Sequence, residues 1–226
     1  SEAFFESEIE TLVKHAKEYL PKDDRFRRII DECLMLYHSH PDDWKASRKY
    51  IAEKYYVNEP DETKTIWNAD LNGAMGILAL LYGDGDIDKT LLVGCALGFD
   101  ADNQTATICG LLGVIKGAEA VPTDRSMPFE HWTKPFNDRY INVTRYDMPD
   151  ASIEDIIDRT VELAVKVIIA NGGEEFSKNG ERWFRIRRKA KFKPALEFCV
   201  GPAPRIVRDE SVDYDFACTT NRNYKW

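Results

Sequence analysis

The segment Gly98–Gly113, with the sequence GFDADNQTATICGLLG, marks the point where a loop passes into a central helix. It places Asp100 and Asp102 one residue apart at the start of that helix. Hard divalent cations such as Mg²⁺ prefer carboxylate oxygens, so both residues are candidate metal ligands. Asp102 or Asn103 can also cap the helix. On spacing alone, the ordinary role of Asp as a turn and cap residue is favoured over metal binding.

The neighbouring segments predict that this helix is packed among other buried helices. Residues 68–82 are almost wholly apolar or small, which is typical of a helix buried on all sides. Residues 88–97 and 103–116 predict two more buried helices. Gly110 and Gly113 stand three residues apart and predict a shallow groove against which another helix packs closely.

Amphipathic helices with clear start signals surround this apolar part of the chain. A capping box at Ser7–Glu10 predicts the first helix, and Asp24 opens the second. Residues 42–56 predict a third. Ser152–Asp155 is a second capping box, and it opens a long helix that ends near Asn171. The fold class predicted from these signals is mainly α.

The composition changes near the C-terminus of the sequence. Trp183–Arg187 and Ala195–Val200 are rich in β-branched and aromatic residues, which predicts a small β appendage. A basic cluster from Arg182 to Lys191 alternates with apolar residues and is typical of one solvated strand face. We therefore predict a helical domain at residues 1–180 and a β-rich appendage at 181–226.

Composition excludes several classes of function. The net charge of −8 over 226 residues argues against nucleic acid as a partner, since phosphate binding needs a basic surface. The longest apolar run, Ala74–Tyr82, is too short to span a bilayer, so no membrane association is expected. Five scattered cysteines favour buried thiols in a reducing compartment, and we expect a cytoplasmic protein.

Two other candidate metal sites fail on their spacing. Asp84–Asp88 resembles half of an EF-hand loop, but Lys89 and Cys95 stand where that loop needs Gly and Glu. The sequence there predicts a helix-to-helix turn with a cap. His38 and His40 lack a third ligand nearby in the sequence.

The Gly98–Gly113 segment resembles the C-terminal portion of the ADP-ribosylglycohydrolase family. The resemblance rests on a glycine, the pair Asp100 and Asp102, and a small-residue helix with a Gly-x-x-Gly pattern, followed by Gly117 and Val121-Pro122. The apolar helix with Asn72, the turn at residues 81–86 and the lead-in Phe4-Phe5-Glu6 are also similar to the family. The likeness covers most of the chain from Ser1 to about Leu196.

This resemblance implies an orthogonal helical bundle that hydrolyses an N- or O-glycosidic bond to ADP-ribose or a related ribosyl group. It also implies two Mg²⁺ ions, with Asp100 and Asp102 as catalytic metal-binding carboxylates. Asn103 stands where the family has a hydroxyl ligand, Thr or Ser. An amide oxygen can still coordinate Mg²⁺, so Asn103 is a third expected ligand.

The family's acidic N-terminal motifs have no match before residue 98. We therefore expect this chain to be inactive alone and to need a second polypeptide, from a cleaved precursor or a second gene, to complete a binuclear site. The alternative hypothesis is a noncatalytic ligand-binding or assembly module on the same scaffold.

Three residues are expected to contact a substrate. Asn72 is one, because it lies on the apolar helix that resembles the family. Trp132 and Phe136 lie in the loop 122–149 and can stack on a base. Ordinary loop packing is the alternative for both aromatic residues.

Overall fold

The computed structural model describes residues 2–143 and 148–186. This part of the chain is mainly helical, which confirms the predicted fold class. Its α-helices are α1 (Ile9–Glu18), α2 (Arg25–Ser39), α3 (Trp44–Ala52), α4 (Ala69–Gly83), α5 (Ile87–Leu97), α6 (Ala101–Lys116), α7 (Thr123–Ser126) and α8 (Ile153–Ala170). A π-helix, Glu53–Val57, continues α3, and 3₁₀ turns lie at Glu2–Phe4, Ala118–Ala120 and Pro135–Asp138.

Helix α4 is the centre of the core. It packs against α1, α2, α3, α5 and α6. Leu71, Met75 and Leu78 of α4 are fully buried. The prediction of a buried helix is therefore confirmed for most of α4, but Asn72, Gly73 and Ile77 are only half-buried, so the helix is not covered on all sides.

Side-chain caps fix where most of these helices begin. Asp24, Asp43 and Asn68 each accept a hydrogen bond from a backbone N–H in the first turn of the helix that follows. Ser152 caps α8 as predicted. At α1 the predicted cap is wrong: Glu8, rather than Ser7, accepts a hydrogen bond from the Thr11 N–H at 2.9 Å.

The α5–α6 pair explains why small residues are needed in this part of the core. A Cβ atom added at Gly94 of α5 would lie 2.7 Å from the Thr105 Oγ1 of α6. The prediction for Gly110 and Gly113 differs from the structure. A Cβ at either position would meet nothing within 4 Å, so no described helix packs there.

Helix α8 leads into a two-stranded antiparallel sheet of β1 (Glu174–Lys178) and β2 (Glu181–Arg185). In this sheet Phe176 pairs with Trp183. Within the described ranges α8 packs chiefly against β1, and only Val165 of this helix is buried. Its exposed apolar residues are Ile157, Val161, Leu163, Val167 and Ile169.

The sheet confirms a small β element near the C-terminus. The predicted strand at Ala195–Val200, and the basic cluster beyond Ile186, lie outside the described residues. The domain boundary at 180/181 therefore stays a prediction. No helix in the described ranges is both long and apolar enough to cross a membrane.

The cysteines in the described ranges differ in their exposure. Cys33 is buried between α2 and α4, and its burial raises the pKa of the thiol to about 12. Cys109 is half-buried, whereas Cys95 is exposed. The expectation of buried thiols is therefore confirmed for Cys33 and wrong for Cys95.

An added methyl group is expected to have opposite effects on the free energy of unfolding at Gly94, which is closely packed, and at Gly110, which faces open space. We expect Gly94→Ala to lower the free energy of unfolding by about 1–3 kcal/mol, the usual cost of overpacking a filled core. Gly110→Ala is expected to raise it by up to about 1 kcal/mol, because Ala is the better helix former and its methyl group meets open space. Urea unfolding of both variants measures the difference, and equal effects would contradict the packing described for α5 and α6.

Candidate functional site

The loop before α6 places the candidate carboxylates. Asp100 occupies the N-cap position of α6, yet its side chain makes no capping hydrogen bond. Asp86, at the same position of α5, does cap its helix and accepts from the Lys89 N–H at 2.7 Å. The carboxylate of Asp100 therefore has no capping role, although capping is the ordinary function of Asp at this position.

Asp102 and Asn103 lie in the first turn of α6, and both are exposed. The amino end of a helix stabilises nearby negative charge through its unpaired N–H groups. Asp100, Asp102 and Asn103 thus lie at the start of one helix, but only Asp100 and Asn103 line a cavity beside it, and their role as a shared ligand set stays a prediction. In residues 2–143 and 148–186, however, no group of three or more His, Cys, Asp or Glu residues is arranged to hold a metal ion.

A cavity of about 410 Å³ lies beside this helix end. Asp100 and Asn103 line it, and α4 forms the opposite wall with Asn72 and Gly73. Trp67, which is 71% exposed, lies at the cavity in the segment before α4. The cavity therefore combines hard oxygen donors, an amide and an aromatic surface.

Two amide side chains hold the loop that carries Asp100. The Asp100 N–H donates to Asn72 Oδ1 at 3.0 Å, and Asn72 Nδ2 donates to the carbonyl oxygens of Ile66 and Asn68. Gln104 Nε2 donates to the Gly98 carbonyl oxygen at 3.0 Å. Asn72 thus positions the backbone of Asp100, and its expected contact with substrate stays a prediction.

Gln104 also carries a buried oxygen with no hydrogen-bond partner. The residue is 7% exposed and lines the cavity, and its Oε1 is one of three such side-chain oxygens in the part of the chain that the structure describes. A buried polar atom without a partner is costly. An amide oxygen of this kind can coordinate Mg²⁺ or accept a hydrogen bond from a bound water.

The backbone of this loop departs from ordinary conformations. Phe99 has φ +63° and follows Gly98 at φ +80°. Such a φ costs a residue with a side chain about 1–3 kcal/mol and persists only where surrounding contacts impose it. The ring of Phe99 contacts Arg48 and Tyr56.

Trp132 and Phe136 lie away from this cavity. Neither lines it, and Trp132 packs against Phe129 with ring centroids 5.1 Å apart. Phe136 is 47% exposed and has φ +53°. Their predicted role in stacking on a substrate base therefore stays a prediction with no support from the cavity.

Sequence reasoning missed three residues of the site region. Trp67 carried a usable signal, because it directly precedes the Asn68 cap of the buried helix α4. Gln104 follows Asn103 and could have been included with the candidate ligands. Arg48 lies 50 positions before Gly98, and nothing in the local sequence links the two.

Comparison with known families places the chain in one of them. A family model described as ADP-ribosylglycohydrolase matches residues 2–168. The match spans more than half of the 226 residues, so the chain belongs to the ADP-ribosylglycohydrolase family. By class it is an ADP-ribosylglycohydrolase-like hydrolase that acts on glycosidic bonds. Neither a search of curated proteins nor a search of solved structures gave a match.

The missing cap at Asp100 predicts a difference in stability between two matched variants. Asp86→Ala removes a capping hydrogen bond and is expected to lower the free energy of unfolding by about 1 kcal/mol. Asp100→Ala removes none, so its effect is expected to stay within about 0.5 kcal/mol. Thermal unfolding of both variants tests this expectation, and an equal loss of stability would assign Asp100 an ordinary structural role.

Proposed function

We propose that this chain contributes Asp100, Asp102 and Asn103 to a Mg²⁺-dependent site that hydrolyses an N- or O-glycosidic bond to ADP-ribose or a related ribosyl group. The observation that carries the proposal is the Asp100 carboxylate. It stands at a helix N-cap beside a cavity and makes no capping hydrogen bond. Membership of the ADP-ribosylglycohydrolase family supports the substrate class.

The donor set suits one hydrated Mg²⁺ in type, but it is too small in number for the two ions of a binuclear site. Two carboxylates and an amide provide the hard oxygens that Mg²⁺ prefers, and Gln104 Oε1 lies nearby without a partner. When bound, Mg²⁺ supplies Lewis-acid polarisation of the ribosyl group and a position for the attacking water. The chain's own contribution is to fix the Asp100 backbone through Asn72 and to provide the cavity wall.

We propose further that a second polypeptide supplies the remaining metal ligands. The outer face of α6 continues from Asn103 through Thr107 and Gly110 to Val114, and all four residues are exposed. Apart from the neighbouring backbone of α6 itself, no described atom lies within 4 Å of a Cβ placed on Gly110. A small, weakly polar face that begins at the candidate ligands is suited to a partner that reaches the same cavity.

Native mass spectrometry of the protein purified from its source, followed by assays with Mg²⁺, tests the proposal. We expect a co-purifying polypeptide, hydrolysis of an ADP-ribosylated substrate by the assembly, and none by this chain alone. Asp102→Ala is expected to reduce turnover by the assembly at least 100-fold while the melting temperature stays nearly constant. Mg²⁺-dependent turnover by the isolated chain would contradict the need for a partner.

The α6 face gives a separate test of the partner. Gly110→Leu is expected to weaken assembly at least tenfold because it fills the open space on this face. Ala96→Leu, at an exposed position of α5, is the matched control and is expected to leave assembly unchanged. Equal assembly of both variants, measured by analytical ultracentrifugation, would exclude this face as the docking surface.

The second candidate function is noncatalytic binding on the same scaffold. The exposed Asn103, in the position of the family's hydroxyl ligand, favours it. In that case the complete assembly binds ADP-ribose without turnover, and Asp102→Ala changes binding alone. Calorimetry with ADP-ribose, run beside the turnover assay, separates the two functions.

A further inference from the structure

The strained loop before α6 is held by side chains from a distant part of the sequence. Arg48, on α3, donates from Nε to the carbonyl oxygen of Leu97 at 2.7 Å. Its guanidinium carbon also lies 5.3 Å from the centroid of the Phe99 ring. Arg48 therefore contacts the chain on both sides of Gly98, directly before Asp100.

A second aromatic side chain supports the same ring. Tyr56 packs edge-on against Phe99, with ring centroids 5.3 Å apart. Tyr56 belongs to the π-helix Glu53–Val57, which continues α3. Single-turn π-helices are rare in proteins, but those that occur often lie at functional sites. The extra residue in the turn redirects the side chains that follow. Two unusual backbone features, the π-helix and the positive φ of Phe99, thus meet at one contact.

The amides of Asn72 and Gln104 also hold this loop. The backbone from Leu97 to Asp100 is therefore restrained by contacts from α3, α4 and α6, whereas the Asp100 side chain makes no capping bond. Restraint of this kind is what a metal-ligating carboxylate needs, since residues around the ligands orient them.

We propose that Arg48 is a positioning residue for the Asp100 carboxylate, acting through the Phe99 ring and the Leu97 carbonyl. This proposal rests on the proposed function, in which Asp100 binds a divalent cation. Arg48 does not line the cavity, so its effect is transmitted by the loop. Planar guanidinium stacking on an aromatic ring is a property that Lys reproduces only in part.

The test compares Arg48→Met with Arg27→Met in the complete assembly. Arg27 of α2 is a matched control, because it also donates to carbonyl oxygens at a helix end, those of Lys17 and Leu20, but its hydrogen-bond partners in the described ranges include none of residues 97–100. Arg48→Met is expected to raise the Mg²⁺ concentration for half-maximal turnover by about tenfold or more, the usual effect of losing a residue that orients a metal ligand. Arg48→Lys is expected to recover part of this loss, and Arg27→Met to show none.

A second readout keeps the proposal testable without turnover. The Asp100 N–H is protected by its bond to Asn72 Oδ1, so its hydrogen exchange reports on the loop. Phe99→Leu removes the ring but leaves the Arg48 bond to Leu97 in place, and it serves if Arg48→Met does not fold. Exchange at Asp100 is expected to be faster in Phe99→Leu and Arg48→Met than in Arg27→Met.

The outcomes separate this proposal from the proposed function. If Asp100→Asn abolishes Mg²⁺-dependent turnover but Arg48→Met and Phe99→Leu behave like Arg27→Met, the positioning role is overturned and the function stands. If Asp100→Asn leaves turnover unchanged, Asp100 binds no essential cation, and both proposals fail.

Discussion

The burial of α4 is the constraint on which the rest of the structure depends. Burying a Leu side chain stabilises the fold by about 1.5–3 kcal/mol, and Leu71, Leu78 and Leu81 are each at most 2% exposed. A helix with this composition has to be covered on most sides. Helices α2, α3, α5 and α6 therefore take their places around it. The carboxyl end of α4 is also fixed, since the Tyr82 hydroxyl donates to the His40 carbonyl oxygen at 2.7 Å.

The position of the candidate site follows from this core. Asn72 lies one turn from the start of α4 and accepts a hydrogen bond from the Asp100 N–H. The loop before α6 is therefore held in place by the most buried helix of the fold. Arg48 and Tyr56 approach the same loop from the side of α3. The Asp100 carboxylate is therefore an unconstrained group on a strongly constrained backbone, an arrangement that suits ligand binding better than stability.

Local signals in the sequence are sufficient to predict the longer α-helices, whereas the four-residue α7 lies in a segment predicted as a loop. Asp24 and Ser152 act as caps because capping depends on residues within three positions of each other. The cap of α1 was misassigned because Ser7 and Glu8 are both able to accept the same kind of bond. The π-helix was not predicted, since its one extra residue per turn depends on contacts such as that of Tyr56 with Phe99.

The candidate ligands were predictable for the same local reason, but their surroundings were not. Asp100, Asp102 and Asn103 are consecutive or nearly so, and one helix start brings them together. The walls of the cavity come from α4 and the segment before it, so Trp67 could be placed there only from the tertiary structure. For Gly110 the local sequence was misleading. Its spacing of three residues from Gly113 predicts close helix packing, yet no described helix packs against it.

The positive end of α6 has opposite effects on the two carboxylates and on a bound cation. The positive end of a helix stabilises nearby negative charge, and Asp100 and Asp102 both lie at the start of α6. The same helix end opposes a cation, and two carboxylates with one amide do not fill the octahedral shell of Mg²⁺. Under the proposed function, tight binding therefore depends on oxygens from the second polypeptide. In zinc fingers metal binding drives folding of the chain. Here, under the proposed function, the chain folds without the cation, and the cation binds tightly only when the second polypeptide is present.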